Sequence, residues 1–253
     1  MSPDDPNSLD APLFDVFYSL GFAHHNNFHH YNVGTLFWSL TRLFGCYYRV
    51  MSALSLPREL RPFLEADIES FIIRMRVVLN DTAFVVWQLF PSNTRGLKGP
   101  SGGTHPKNRE MSIVNLTKFL ERAKADYPEL ANAFGEAQSW IDRLRNQRDN
   151  VVHYKSKALV FESDPISFAL INAAGTERQV PTPEGGSRLI TEPVADFVNS
   201  QLLAVHNFMH VELASVIRAH AKRLGLKYVQ VGRNPRMTCI GIDLFRRANG
   251  VGA

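Results

Sequence analysis

The chain has 253 residues, 45% hydrophobic and 21% charged, with a formal charge of +4 at pH 7. That length holds one large domain or two small ones with a core of their own, and the mild positive charge admits a nucleic acid as partner without requiring one. Two cysteines, Cys46 and Cys239, stand far apart, which excludes a disulfide scaffold and a cysteine-rich zinc site and fits a reducing compartment.

Asp4, Asp5, Asp10 and Asp15 precede the first basic residue, Arg42, whereas an export or mitochondrial leader has the opposite charge order. The most apolar stretches, 35–54 and 68–90, are interrupted by Arg42, Arg49, Arg74, Arg76 and Asp81. They read as core helices and not as membrane spans. The expectation is a soluble, cytoplasmic protein with no membrane partner.

Residues 1–34 read as an irregular segment rich in Asp, Asn and His. From Thr35, which is placed to cap a helix, Leu36, Leu40, Leu43, Tyr47, Met51 and Leu54 recur at helical spacing until Pro57. Ile68, Phe71, Met75, Val78, Thr82, Val85 and Leu89 trace a second helix, stopped by Pro91. The segment 92–109, SNTRGLKGPSGGTHPKNR, reads as a loop with Arg95, Lys98, Lys107 and Arg109 and no acid. A loop of that length is often functional; two readings stand, a flexible arm whose cations contact nucleic-acid phosphates and a merely solvated loop. A third helix is expected over 111–125, and a fourth, opened by Asp126 and Pro128, to about Val152.

Two β-like runs follow, 158–161 and 166–171, broken by Ser163, Asp164 and Pro165, then a loop over 179–186. Thr191 is placed to cap a fifth helix with Pro193 in its first turn, its stripe being Val194, Phe197, Leu202, Val205, Met209, Val216 and His220, and Gly225 its end. The predicted fold class is mainly α: a helical bundle over 35–225 with a small β insert near 158–190. A basic tail, 226–253, sets Lys227, Arg233, Arg236, Arg246 and Arg247 against Asp243.

The fourth helix holds the most informative feature. Its apolar row runs Phe134, Ala137, Ile141, Leu144, then Arg148, then Val151. A charge on a core-facing row is costly unless it is paired or lines a cleft. Arg145, Asp149 and His153 form the neighbouring row at i, i+4, i+8, where Asp149 is placed to pair with Arg145 and with His153 and to favour a protonated imidazole. On an ideal helix Arg148 and His153 lie about 140° apart. Either the helix ends near Val152, or the pair forms half of a composite site across a two-fold axis.

The segment LRNQRDNVVHY, Leu144 to Tyr154, resembles the signature of HEPN domains: Arg, four to six residues, then His, with a polar residue after the Arg. The resemblance implies a dimerising up-and-down bundle of four or five helices. It also implies a metal-independent, cofactor-free endoribonuclease site at the dimer cleft, with Arg148 and His153 catalytic and Arg145, Asp149, Asn150 and Tyr154 in support. Its biological setting would be a toxin, stress or antiphage-defence role, with RNA as target and an antitoxin or regulatory protein as partner. Some members carry Tyr two residues after the His; here Tyr154 is adjacent and Lys155 stands at that spacing. Asp149 either orients the histidine or marks a domain without cleavage.

The residue types suit metal-free RNA cleavage. An imidazole exchanges a proton near neutral pH, and a guanidinium binds two phosphate oxygens at once. Three other readings stand beside this one. In the first, Arg148 is held in a buried ion pair with an acid on another helix and His153 caps a helix end. In the second, the chain is a non-catalytic helical module binding RNA or protein. In the third, it is a metal-dependent enzyme using His24, His25, His29 and His30 or the i, i+4 pair His206 and His210. In the last pair Asn207 stands where a zinc peptidase helix needs Glu. The basic loop lacks the GKS or GKT of a phosphate-binding loop, and neither GxSxG nor GxGxxG occurs.

Overall fold

Helical spacing carries most of the described residues into helices. A computed structural model describes residues 13, 14, 16, 27–88, 90, 111–153, 157–171, 179–181, 187–189 and 191–223; for 27–32, 179–181, 187–189 and 220–223 this extends to the backbone alone. The helices are α1 Asn27–Leu54, α2 Leu64–Trp87, α3 Ile113–Arg122, α4 Pro128–His153, α5 Val194–His206 and α6 Ala214–Arg223. A π-helical turn, Asn207–Leu213, joins α5 to α6 in one continuous run. The fold is therefore mainly helical. Strands β1 Lys157–Phe161, β2 Ser167–Ile171, β3 Gln179–Pro181, β4 Ser187–Leu189 and β5 Glu192–Pro193 lie between α4 and α5. They form an antiparallel sheet of order β1-β2-β5 and a separate β3-β4 pair.

The chain divides into two compact units, Arg42–Val77 with Ser139–Val205, and Met1–Thr41 with Val78–Gln138 and His206–Ala253. In the first unit, α1 supplies Leu43, Phe44, Tyr47 and Val50, α2 Ile68, Phe71, Ile72 and Met75, α4 Ile141 and Leu144, and α5 Phe197, Val198 and Leu202, all buried. The Phe197 ring meets Phe168 edge-on at 4.9 Å and Phe71 at 6.2 Å, which ties the sheet to the helices. Ser167 to Leu170 of β2 are buried on both faces of the strand. On β1 the Ala158 N–H donates to Glu69 of α2 at 3.0 Å and the Val160 N–H to Glu65 at 3.2 Å. Two carboxylates thus satisfy edge-strand donors that would otherwise need another strand. Tyr47 donates to Asn199 at 2.8 Å and Trp140 to Gln201 at 2.9 Å.

The second unit is built on aromatic contacts. Trp87–Phe119, Phe90–Phe119 and Phe90–Tyr127 pack edge to face at 4.8 to 5.4 Å, the favoured arrangement for ring quadrupoles, and Trp87 lies tilted against Phe90 at 5.6 Å. Phe134 meets Phe208 at 5.3 Å. Ser112 caps α3 by accepting from the Asn115 N–H at 3.3 Å.

Several boundaries differ from expectation. The first helix begins at Asn27 and not at Thr35, and Leu13, Phe14 and Val16 are buried, so the polar N-terminal segment also contributes core residues. The stretch 179–186 is not all loop, since Gln179–Pro181 pairs with Ser187–Leu189. The fifth helix starts at Val194, with Pro193 in β5 rather than in its first turn. From the end of the π turn onward the buried positions are Leu213, Ala214 and Ile217, and Val216 is only half-buried. The wider turn inserts one residue and rotates the stripe. Among the described residues no helix is long and apolar enough to cross a membrane. Gly225 and the segments 92–109 and 226–253 lie outside the described residues.

Candidate functional site

Helix α4 runs without a break to His153, so Arg145, Arg148, Asp149, Asn150 and His153 share its last three turns. The buried position on this stretch is Gln147, 4% exposed. Arg148 stands beside the core-facing row, with its side chain 32% exposed, and not within it as the apolar pattern predicts. A long basic side chain reaches the helix flank more cheaply than it enters the core.

Arg148 Nη1 lies 2.9 Å from Asp149 Oδ1 and 3.0 Å from His153 Nε2. The expectation that Arg148 and His153 do not meet within one chain is therefore overturned. The 140° angle separates Cβ directions, but the Arg stem is long enough to reach forward along the 7.5 Å or so of helix rise toward His153. No second copy is needed to assemble the pair. Because a guanidinium only donates, Nε2 must be the acceptor, with the imidazole proton on Nδ1.

Asp149 pairs with Arg145 at 3.5 Å and with Arg148 at 2.9 Å. Its expected partner His153 is held by Arg148 instead. One carboxylate is thus shared by two guanidiniums and neutralises neither fully. The partner of Arg148 is its own sequence neighbour at the surface, not an acid on another helix as in the buried ion-pair reading. Both hydrogens on Arg148 Nη1 are committed, which pins the guanidinium plane. Its Nε–Nη2 edge has no partner among the described residues, and that edge matches two oxygens of an anion. Asn150 is half-buried beside the pair, and Val152, 41% exposed, borders His153.

Sequence patterning missed one member of this neighbourhood. Arg76 of α2 feels the charges of Arg145, Arg148, Asp149 and Asp142 on α4. Burial, reinforced by the two neighbouring arginines, pushes its guanidinium down to about 10. Its Nη1 is buried with no hydrogen-bond partner among the described residues, as is Oε1 of Gln147. The available signal was a second charge, beside Arg74, breaking an apolar helix next to the buried Met75.

The remaining candidates fall elsewhere. The rings of His206 and His210 are buried with centroids 5.3 Å apart, and His210 also lies 5.9 Å from Phe14. Among the described residues no three His, Cys, Asp or Glu side chains converge as metal ligands. A pocket of about 320 Å³ is lined by Tyr48, Leu56, Leu60, Phe63 and the Arg49–Asp67 ion pair, and includes neither Arg148 nor His153. Arg95, Lys98, Lys107, Arg109, Tyr154, His24 and His25 lie outside the described residues, as do the side chains of His29 and His30. No protein-family model, curated protein or solved structure matches this chain.

Proposed function

We propose that the chain is an HEPN-like, RNA-directed protein that cleaves RNA without a metal, using Arg148 and His153. The observation that carries the reading is the 3.0 Å contact between the Arg148 guanidinium and His153 Nε2. It brings together the two residue types that the motif pairs, at an exposed helix end with cationic excess. The mainly helical fold, interrupted by a small sheet, supports the bundle that the resemblance implies.

In this reading a phosphodiester docks on the Nε–Nη2 edge of Arg148. As the guanidinium turns toward the phosphate oxygens it releases Nε2 of His153, which accepts the proton of the ribose 2′-hydroxyl. The 2′-oxygen–phosphorus bond forms while the phosphorus–5′-oxygen bond breaks. The 5′-oxygen takes a proton from solvent, to which His153 returns the one it accepted. Arg148 stabilises the charge that builds on the phosphate oxygens. The basic loop with Arg95, Lys98, Lys107 and Arg109 would hold flanking phosphates, so affinity falls steeply with salt. Two-fold assembly of the kind the resemblance implies would set two such pairs in one cleft.

The test is cleavage of single-stranded RNA by the wild type, Arg148→Ala and His153→Ala, with circular dichroism as control for folding. Both variants should lose cleavage with the helical signal intact. Full cleavage by both would overturn the catalytic reading and favour a binding module.

A further inference from the structure

Arg76 has no part in the motif, yet one donor of its guanidinium is left buried and open. Its Nη1 is buried without a hydrogen-bond partner, and no ion pair among the described residues includes it. A buried donor left open is uncommon, and a guanidinium so placed is either strained or waiting for an acceptor.

Its surroundings say which acceptor. The charges that act on it belong to α4: Arg145 and Arg148 against Asp149 and Asp142. Asp149 is already divided between the two arginines of its own helix. Three guanidiniums therefore share two carboxylates, and the neighbourhood keeps a positive excess. Arg148 offers its Nε–Nη2 edge from α4, and Arg76 holds an unpartnered Nη1 on α2 that is closed to solvent at rest, so its side chain must turn to meet an anion. Donors from two helices call for an anion with several acceptor oxygens and full charge, which a phosphate group supplies and a neutral acceptor does not.

We infer that Arg76 seats a phosphate of the nucleic-acid strand beside Arg148, as a binding residue of the same site supplied by a second helix. This rests on the RNA-directed reading for the identity of the strand, but the phosphate seat itself is testable without cleavage. Asp149 then acts as the resting counter-ion, holding Arg145 and Arg148 until a phosphate competes for them.

The experiment is a titration of the full chain with inorganic phosphate at constant ionic strength, followed through the arginine side-chain NMR signals. It compares the wild type with Arg76→Gln, Arg76→Lys and, as an exposed control, Arg58→Gln. Arg76→Gln should weaken phosphate binding about tenfold, the loss expected for one charge-assisted bond, and Arg58→Gln should leave it unchanged. Arg76→Lys keeps the charge and loses the planar fork, so it should weaken binding severalfold; it decides the matter if Arg76→Gln does not fold. Wild-type phosphate binding by folded Arg76 variants would overturn the proposal. A second arm adds a 2′-O-methyl RNA oligomer, which cannot be cleaved and should displace the phosphate. Phosphate held through Arg76 that the oligomer fails to displace would overturn the assignment to a nucleic-acid strand. Loss of phosphate binding in Arg76→Gln together with a wild type that cuts no RNA would leave the seat standing and sink only the nuclease.

Discussion

Replacing Arg76 with methionine keeps an unbranched stem of similar length and removes the guanidinium. Burial pushes the Arg76 guanidinium well below its ordinary range, to about 10, so the charged form is disfavoured in the folded protein. Taken whole, that fall corresponds to about 3 kcal/mol. Part of the side chain reaches solvent, where screening weakens the penalty, so about 1–2 kcal/mol is expected to survive. The cost of leaving a buried N–H unpaired is of the same size and overlaps with it. Arg76→Met should therefore be more stable than the wild type at pH 7 by about 1–2 kcal/mol, seen as a rise of a few degrees in Tm by circular dichroism. Above pH 10 the unfolded chain holds more protons on this group than the folded one, so the penalty is fully present below 10 and fades above it. The gap between variant and wild type should be flat from pH 7 to 9 and begin to close near 10. A variant less stable than the wild type would show that Arg76 is satisfied in the folded protein, and would refute the argument for an open cation.

Three further outcomes follow from the same geometry. Asp149→Asn removes the shared counter-ion of Arg145 and Arg148; it should cost under about 1 kcal/mol in urea denaturation, as exposed pairs do, and should bind RNA more tightly with a steeper salt dependence. Phe197→Ala opens a cavity between Phe71 and Phe168 and should cost about 3–5 kcal/mol, read as a lower denaturation midpoint. Burial raises the pKa of Asp81 although Ser39 donates to its carboxylate; the folded state thus binds this proton more tightly than the unfolded one, and the ionised group costs stability as pH rises above 3.8. Asp81→Asn should be the more stable protein at pH 7, with the two melting curves converging toward pH 4.

Periodicity is legible where the side chains themselves report burial. The row Ile68, Phe71, Met75, Val78, Thr82 and Val85 is wholly buried, because a regular helix repeats its environment every three or four residues. The π turn at Asn207–Leu213 is not written in apolar spacing, so the stripe after it lands on Ile217 and not Val216. Asn27–Gly34 lacks an apolar stripe, yet it is helical; it extends N-terminally the helix whose stripe begins at Leu36. At the site, the residue types and their spacing singled out Arg148 and His153, and the structure brings them within 3.0 Å. The angular argument failed because it measured backbone directions and ignored the reach of arginine. Arg76 could not be found this way, since nothing local in α2 says that its neighbours are Arg145 and Arg148, more than sixty positions away.

The most direct measurement is the chemistry of the product ends. The account predicts that the wild-type chain, in EDTA, cuts single-stranded RNA to leave a 2′,3′-cyclic phosphate and a 5′-hydroxyl, and leaves the 2′-O-methyl form of the same strand intact. Cleavage of the 2′-O-methyl strand, or activity lost in EDTA and restored by zinc or manganese, would contradict it.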